Sequence, residues 1–183
     1  MAGQVDKGRE EFKQSRKQQV RKVLAVIERH RKEATRKRLN FTAPDEEQLI
    51  KKLPGTKSPM IVFQSWGGSV PKGGTLNYNI GIYNPDAFTQ IWLFVHLFIG
   101  PANMVPDVGA ALATVDSRFP RLALPKFAGL NISSGGSATL NFSIPIPASI
   151  EPSNYLGNSF LFRADWHDVG DYFDRSIFVF EVS

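Results

Sequence analysis

The chain has 183 residues, 42% of them hydrophobic, and no cysteine; that is enough to bury the core of one ordinary domain plus an appendage, and it excludes disulfides, thiolate zinc centres and cysteine nucleophiles. Its net charge of +5 is unevenly placed: residues 1–40 hold 13 Lys/Arg against 5 Asp/Glu, residues 41–57 three of each, and residues 58–183 six against nine. A strongly basic segment is joined to a mildly acidic body. The first residues lack a secretory h-region, and no stretch approaches the roughly 18 apolar residues of a membrane span, so a cytoplasmic location is expected.

From about residue 8 to residue 39 there is no proline, and strong helix formers dominate. Phe12, Val20, Val23, Leu24, Ile27 and Ala34 recur at spacings near three and four, which predicts one long helix with a narrow apolar stripe. Around the stripe lie Arg16, Lys17, Arg21, Lys22, Arg29, Arg31, Lys32, Arg36, Lys37 and Arg38. So many like charges disfavour an isolated helix, so the stripe must be covered. Three covers compete: the chain's own β domain or a second copy of the helix, a groove on a partner protein, and nucleic acid or an anionic surface. A membrane surface is disfavoured, because the apolar side lacks Trp and has a single Phe. Val20, Val23, Leu24 and Ile27 form the densest part of the stripe and are the expected partner-binding residues, through self-association or a protein partner. Arg16, Lys17, Arg21, Lys22, Arg36, Lys37 and Arg38 are the candidates for contact with nucleic acid or another anionic surface.

Thr42, followed by Ala43, Pro44 and an acidic run, has the features of a helix start, so a short second helix is expected over residues 45–53, ended by Pro54-Gly55. Residues 1–57 are read as the helical appendage and linker, residues 58–183 as a β domain. From Met60 onward, apolar runs alternate with Gly, Pro, Asn and Ser clusters, the punctuation of an all-β unit. Strands are expected over 60–66, 74–84, 89–100, 138–146, 159–166 and 175–182. In the second, Leu76, Tyr78, Ile80 and Ile82 share one face, with Asn77, Asn79 and Gly81 on the other. The third is apolar nearly throughout and is expected to lie centrally, buried on both faces. The fold class that follows is mainly β, an antiparallel two-sheet immunoglobulin-like sandwich with a long basic N-terminal helix.

The runs VPKGGTLNYNIGIYNPDA, LFVHLFIG, GLNISSGGSATLNFSIPIP, SFLFRADW and RSIFVFEV resemble bacterial immunoglobulin-like modules of the cell-adhesion-related type, over residues 60–183. The resemblance implies a sandwich that acts as a spacer or binding surface; such modules are usually exported and repeated, whereas this chain has one copy, no signal and a basic helix. Small icosahedral coat proteins also join a basic arm to a β-sandwich, and that resemblance would imply a nucleic-acid-packaging role. Here the arm is an amphipathic helix containing acids.

The stretch DWHDVGDYFD places Asp165, Asp168, Asp171 and Asp174 in ten residues before the last strand. Calcium loops place acids at alternate positions with a glycine at the sixth and a bidentate Glu at the twelfth; here the acids are three apart and the twelfth position is Ser176. The stretch reads first as a hairpin loop whose aspartates cap turns and pair with Arg163 or Arg175, second as a calcium site, and third as a hydrolytic centre. His30 lies in the basic helix and His96 in an apolar strand. The serines stand in no nucleophile elbow, and SWGGSVPKGG precedes a strand where a phosphate loop needs a helix. Phe is abundant, and Trp66, Trp92 and Trp166 suffice to fill a small core, so the aromatic residues read first as an aromatic-rich core and second as an exposed patch for self-association. The composite expectation is a non-enzymatic structural or interaction protein without cofactors, assembled or tethered through its helix; the rivals are a nucleic-acid-binding protein and a calcium-dependent module or hydrolase.

Overall fold

A computed structural model describes residues 2–53, 58–86, 91–101, 126–163 and 173–183. It is mainly β, two sheets with an N-terminal helix. In chain order these are α1 (Ala2–Arg36), β1 (Asn40–Thr42), α2 (Glu46–Lys52), β2 (Met60–Trp66), β3 (Ser69–Val70), β4 (Thr75–Tyr83), β5 (Ile91–Pro101), β6 (Lys126–Ile132), β7 (Ser137–Pro145), β8 (Ser153–Arg163) and β9 (Asp174–Val182). One sheet has the order β1-β2-β4-β7, the other β3-β9-β8-β5-β6. All pairs are antiparallel except β3 with β9, which run parallel. The expectation of purely antiparallel sheets is corrected at this one place: β3 is a two-residue strand that runs alongside the end of β9, bonding through Glu181 N to Gly68 O and Ser183 N to Val70 O.

Period-two patterning positions the interior. Leu76, Tyr78, Ile80 and Ile82 of β4 face Leu93, Val95 and Leu97 of β5 and Phe178, Phe180 and Val182 of β9 across one core. β5 is internal to its sheet, between β8 and β6, as its apolar run predicts; in β8, which lies between β5 and β9, Phe160, Leu161 and Phe162 are consecutive and all buried, so β8 is covered on both faces. Trp66 is only half-buried, and the Trp92 side chain and Trp166 lie outside the described residues. The aromatic centre is instead Phe178, stacked on Tyr78 with ring centroids 4.4 Å apart. Gly157 opposite makes room for it: a Cβ there would lie 2.2 Å from Phe178 Cζ.

Side chains of β2 join the two layers. Gln64 Nε2 donates to Ile177 O and Trp66 Nε1 to Val179 O, each at 2.8 Å. Both acceptors belong to the stretch of β9 beyond its short pairing with β3, so a sheet edge is capped by side chains. Tyr78 OH, fully buried, donates to Gln64 Oε1 (3.1 Å) and accepts from Ser159 Oγ (2.8 Å). Burial pushes the Tyr78 phenol far above its usual range, so the group is a neutral hydrogen-bond relay between sheets.

A second core lies on the outer face of the four-stranded sheet. The register of β2 with β4 shifts between Ile61 and Phe63, a β-bulge that turns both Val62 and Phe63 outward. These two side chains, with Met60 and Tyr83, are met by Val20, Val23 and Ile27 of α1 and by Leu49 and Leu53 of α2. The Phe63 ring lies directly over Gly81, where a Cβ would come within 2.0 Å of Cε1. Helix α1 ends as Arg38 turns left-handed (φ 55°), with Leu39 N donating to Ala34 O at 2.9 Å. Residues 40–42, read in the sequence as linker, form β1 and pair with β2. Thr42 is therefore a strand residue, and the cap of α2 is Asp45: its Oδ1 accepts from Gln48 N at 2.8 Å while Gln48 Oε1 accepts from Asp45 N at 3.0 Å.

Candidate interaction surfaces: the helix ridge and the cleft beneath it

The stripe of α1 is internal. Val23 and Ile27 are 1% and 2% exposed, Val20 is buried with them, and Leu24 packs against the same cluster. Of the three covers open to these four residues, the chain's own sandwich is the one observed, because the bulge of β2 presents a matching apolar patch. The expected partner-binding assignment of Val20, Val23, Leu24 and Ile27 is corrected accordingly.

What α1 presents outward is charge. Lys17, Arg21, Lys22, Arg36, Lys37 and Arg38 are exposed, as are Arg29, Arg31 and Lys32, while Arg16 is partly covered. Lys37 Nζ meets Glu33 Oε1 at 2.7 Å and Lys32 Nζ meets Glu28 Oε1 at 3.9 Å; the Lys37 contact holds the Glu33 carboxyl below its ordinary range. Lys22, Arg29 and Arg36 stand seven residues apart, two turns each, so they align along the helix at steps of about 10.5 Å.

The last two turns of α1 lie across a different part of the same sheet, over polar side chains. A cleft of about 680 Å³ separates them, with His30, Glu33, Ala34, Lys37 and Leu39 as its helical wall. Its floor is set by register: Ser65, Asn79 and Asn141 lie side by side on β2, β4 and β7, and Asn77 opposes Ser143. With strands about 4.8 Å apart, the three-residue row spans roughly 10 Å. Asn79 Nδ2 donates to Ser65 Oγ at 3.0 Å. Asn77, Asn141 and Ser143 are exposed toward the cleft. His30 stacks on Phe63 with centroids 4.3 Å apart. Burial, reinforced by Arg29 and opposed by Glu33, lowers its pKa, so its imidazole is neutral at pH 7. The sequence reading took Asn77 and Asn79 as the solvated back of a strand; what it lacked was the alignment of Asn141 beside them.

Asp165, Asp168 and Asp171 lie outside the described residues. Asp174 is a clamp: its Oδ2 accepts from Ile61 N at 2.9 Å and lies 3.8 Å from Lys52 Nζ, and its Oδ1 accepts from Arg175 N at 3.0 Å. These contacts tie the start of β9 to β2 and α2. Among the described residues no three His, Asp or Glu side chains come together as metal ligands, and no helix is long and apolar enough to cross a membrane. The exposed large apolar side chains described are Ile50 and Val179, neither of them aromatic, so the expected exposed aromatic patch is not found among the described residues.

No family model matches the chain, and no curated protein does. Among solved structures it is similar to the C-terminal domain of wzt, at 9% identity and TM-score 0.50, over 79% of this chain and 78% of that one. It also matches the CARDB domain of a Pyrococcus furiosus protein solved in complex with di-metal ions, at 10% identity and TM-score 0.43, over 68% of this chain and 90% of that one. At 9% identity, the likeness to the wzt domain bears on fold alone.

Proposed function

We propose that the chain is a non-enzymatic interaction module of the immunoglobulin-like sandwich class, held to an acidic protein surface by the outward face of α1. The observation that carries this reading is the division of the helix: Val20, Val23 and Ile27 of its apolar stripe are buried in the chain's own second core, while nine cations along the helix and the turn that ends it are solvent-exposed. Such a face draws an anionic partner by long-range attraction and sets the on-rate more than the final affinity. The aligned Lys22, Arg29 and Arg36 also suit a phosphate backbone, which keeps nucleic acid as the second reading. Among the described residues the outward face of α1 carries no aromatic side chain for stacking on bases, so any such binding is expected to be sequence-blind.

The test uses the full chain with a labelled Asp/Glu-rich peptide and, separately, duplex DNA. Peptide binding is expected at about 50 mM salt, weakening steeply by about 200 mM, with duplex binding weak throughout. Lys22→Glu, Arg29→Glu and Arg36→Glu together abolish it without altering the fold. Tight retention of the duplex at physiological salt replaces the acidic-protein reading with the nucleic-acid one; no polyanion bound at low salt removes both.

A further inference from the structure

The charged ridge leaves the cleft beneath it unexplained. A helix packed for structural reasons alone would meet apolar side chains along its whole buried side. Here the stretch from Val20 to Ile27 does so, over Val62 and Phe63, and the last turns beyond the His30 ring do not: they bridge a floor of Asn77, Asn79, Asn141 and Ser143. That floor lies on strands whose opposite faces, Leu76, Tyr78 and Ile80, are fully buried, so its side chains are mounted on rigid backbone.

The chemistry of the lining narrows the occupant. An anion would need a free cation, and Lys37, the ammonium in the wall, is held 2.7 Å from Glu33. That same ion pair also occupies Glu33, the carboxylate a cationic ligand would need, and His30 is neutral at pH 7. An apolar ligand would leave the amides unpaired. What remains is a neutral molecule that both donates and accepts hydrogen bonds over its whole surface, since an Asn side chain carries two donors and a carbonyl oxygen in one plane, one donor of Asn79 being given to Ser65. A cleft of about 680 Å³ is of ligand-binding size, and its three-residue row, roughly 10 Å long, is long enough for more than one ring. The wall supplies Ala34 and Leu39 for the C–H face of such a ring.

We propose that the cleft between the C-terminal end of α1 and the outer face of the four-stranded sheet binds a neutral saccharide, whose hydroxyls pair with Asn77, Asn79 and Asn141. This site is independent of the cationic ridge and stands or falls separately from it.

The experiment screens the full chain on an array of immobilised glycans covering neutral hexoses, deoxyhexoses, N-acetylhexosamines and acidic sugars, then titrates the best neutral oligosaccharide by calorimetry. Saturable binding to a neutral glycan is expected, insensitive to salt and weakened at least tenfold by Asn77→Val with Asn141→Val. The melting temperature of that variant, at exposed strand positions, stays near wild type, and a Lys22→Glu, Arg29→Glu, Arg36→Glu variant binds as wild type does. Absence of binding to every neutral glycan overturns the proposal, as does neutral-glycan binding that survives the double Asn substitution. Binding restricted to acidic glycans and abolished by the ridge variant also overturns it, and assigns recognition to the helix.

Discussion

Ile27→Ala tests whether α1 is part of this protein's own fold. Ile27 is 2% exposed and packs in the cluster that Val62, Phe63 and Leu49 complete. The substitution removes three carbon groups, worth about 0.8 kcal/mol each by transfer, or about 2.4 kcal/mol. The cavity left beneath a helix that cannot fully collapse brings the expected loss to about 2.4–5 kcal/mol. In a chain of this size each kcal/mol lowers Tm by about 2–4 °C, so a fall of roughly 5–20 °C is expected by calorimetry or circular dichroism, with unchanged mass by light scattering. Arg29→Ala, on the exposed face of the same helix, serves as control and should shift Tm by no more than a degree or two. If Ile27→Ala left Tm in place while halving the mass, the stripe would be an intersubunit seam and the internal packing described above would be wrong. No change in either quantity would show the helix undocked in solution.

Gly81→Val should destabilise by about 1–3 kcal/mol, because a Cβ at that position meets the Phe63 ring; combining it with Phe63→Leu should recover part of the loss, a non-additivity read from thermal melts of the double-mutant cycle. His30 gives a pH dependence whose sign follows from its lowered pKa: the unfolded chain binds the proton more readily, so the contribution is complete above about pH 6.5 and is lost as pH falls from there towards the folded value. Arg29 and Glu33 flank the ring and Phe63 faces it from β2. The difference in Tm between wild type and His30→Phe should therefore move against wild type between about pH 7 and pH 5, and parallel curves would show that His30 titrates as a solvated residue.

Alternation made the layered core readable: the inward set of β4 and the Phe178, Phe180, Val182 face of β9 are where the period of two puts them. Periodicity likewise found the stripe of α1, but not its cover. That depended on a bulge in β2, which breaks the period at Val62 and Phe63 so that neighbouring residues share a face, and no local signal marks it. The span of α2 is legible, but its cap reads as Thr42 because a hydroxyl before Pro44 satisfies the same capping preference as Asp45, and only the pairing of Thr42 with Gln64 decides between them. The cleft was illegible for a related reason: Asn79 and Asn141 become neighbours through strand register across 62 positions of chain, and register is a tertiary choice.

The bonds from β2 to β9 also impose an order of assembly. Ile61, Gln64 and Trp66 each reach a partner 113 residues further along the chain. The helical layer needs nothing so distant: α1, α2, β2 and Tyr83 all fall within the first half of the sequence and form one cluster. A growing chain can therefore seat its helices on β2 and β4 early, while the inner amides of β2 wait for carbonyls not yet synthesised. Closure of the sandwich is the late, non-local step, of the kind that places β proteins in the millisecond-to-second range. During that interval Gln64, Trp66 and Tyr78 stand uncovered on the inner face of an unfinished sandwich, their partners on β8 and β9 still to come.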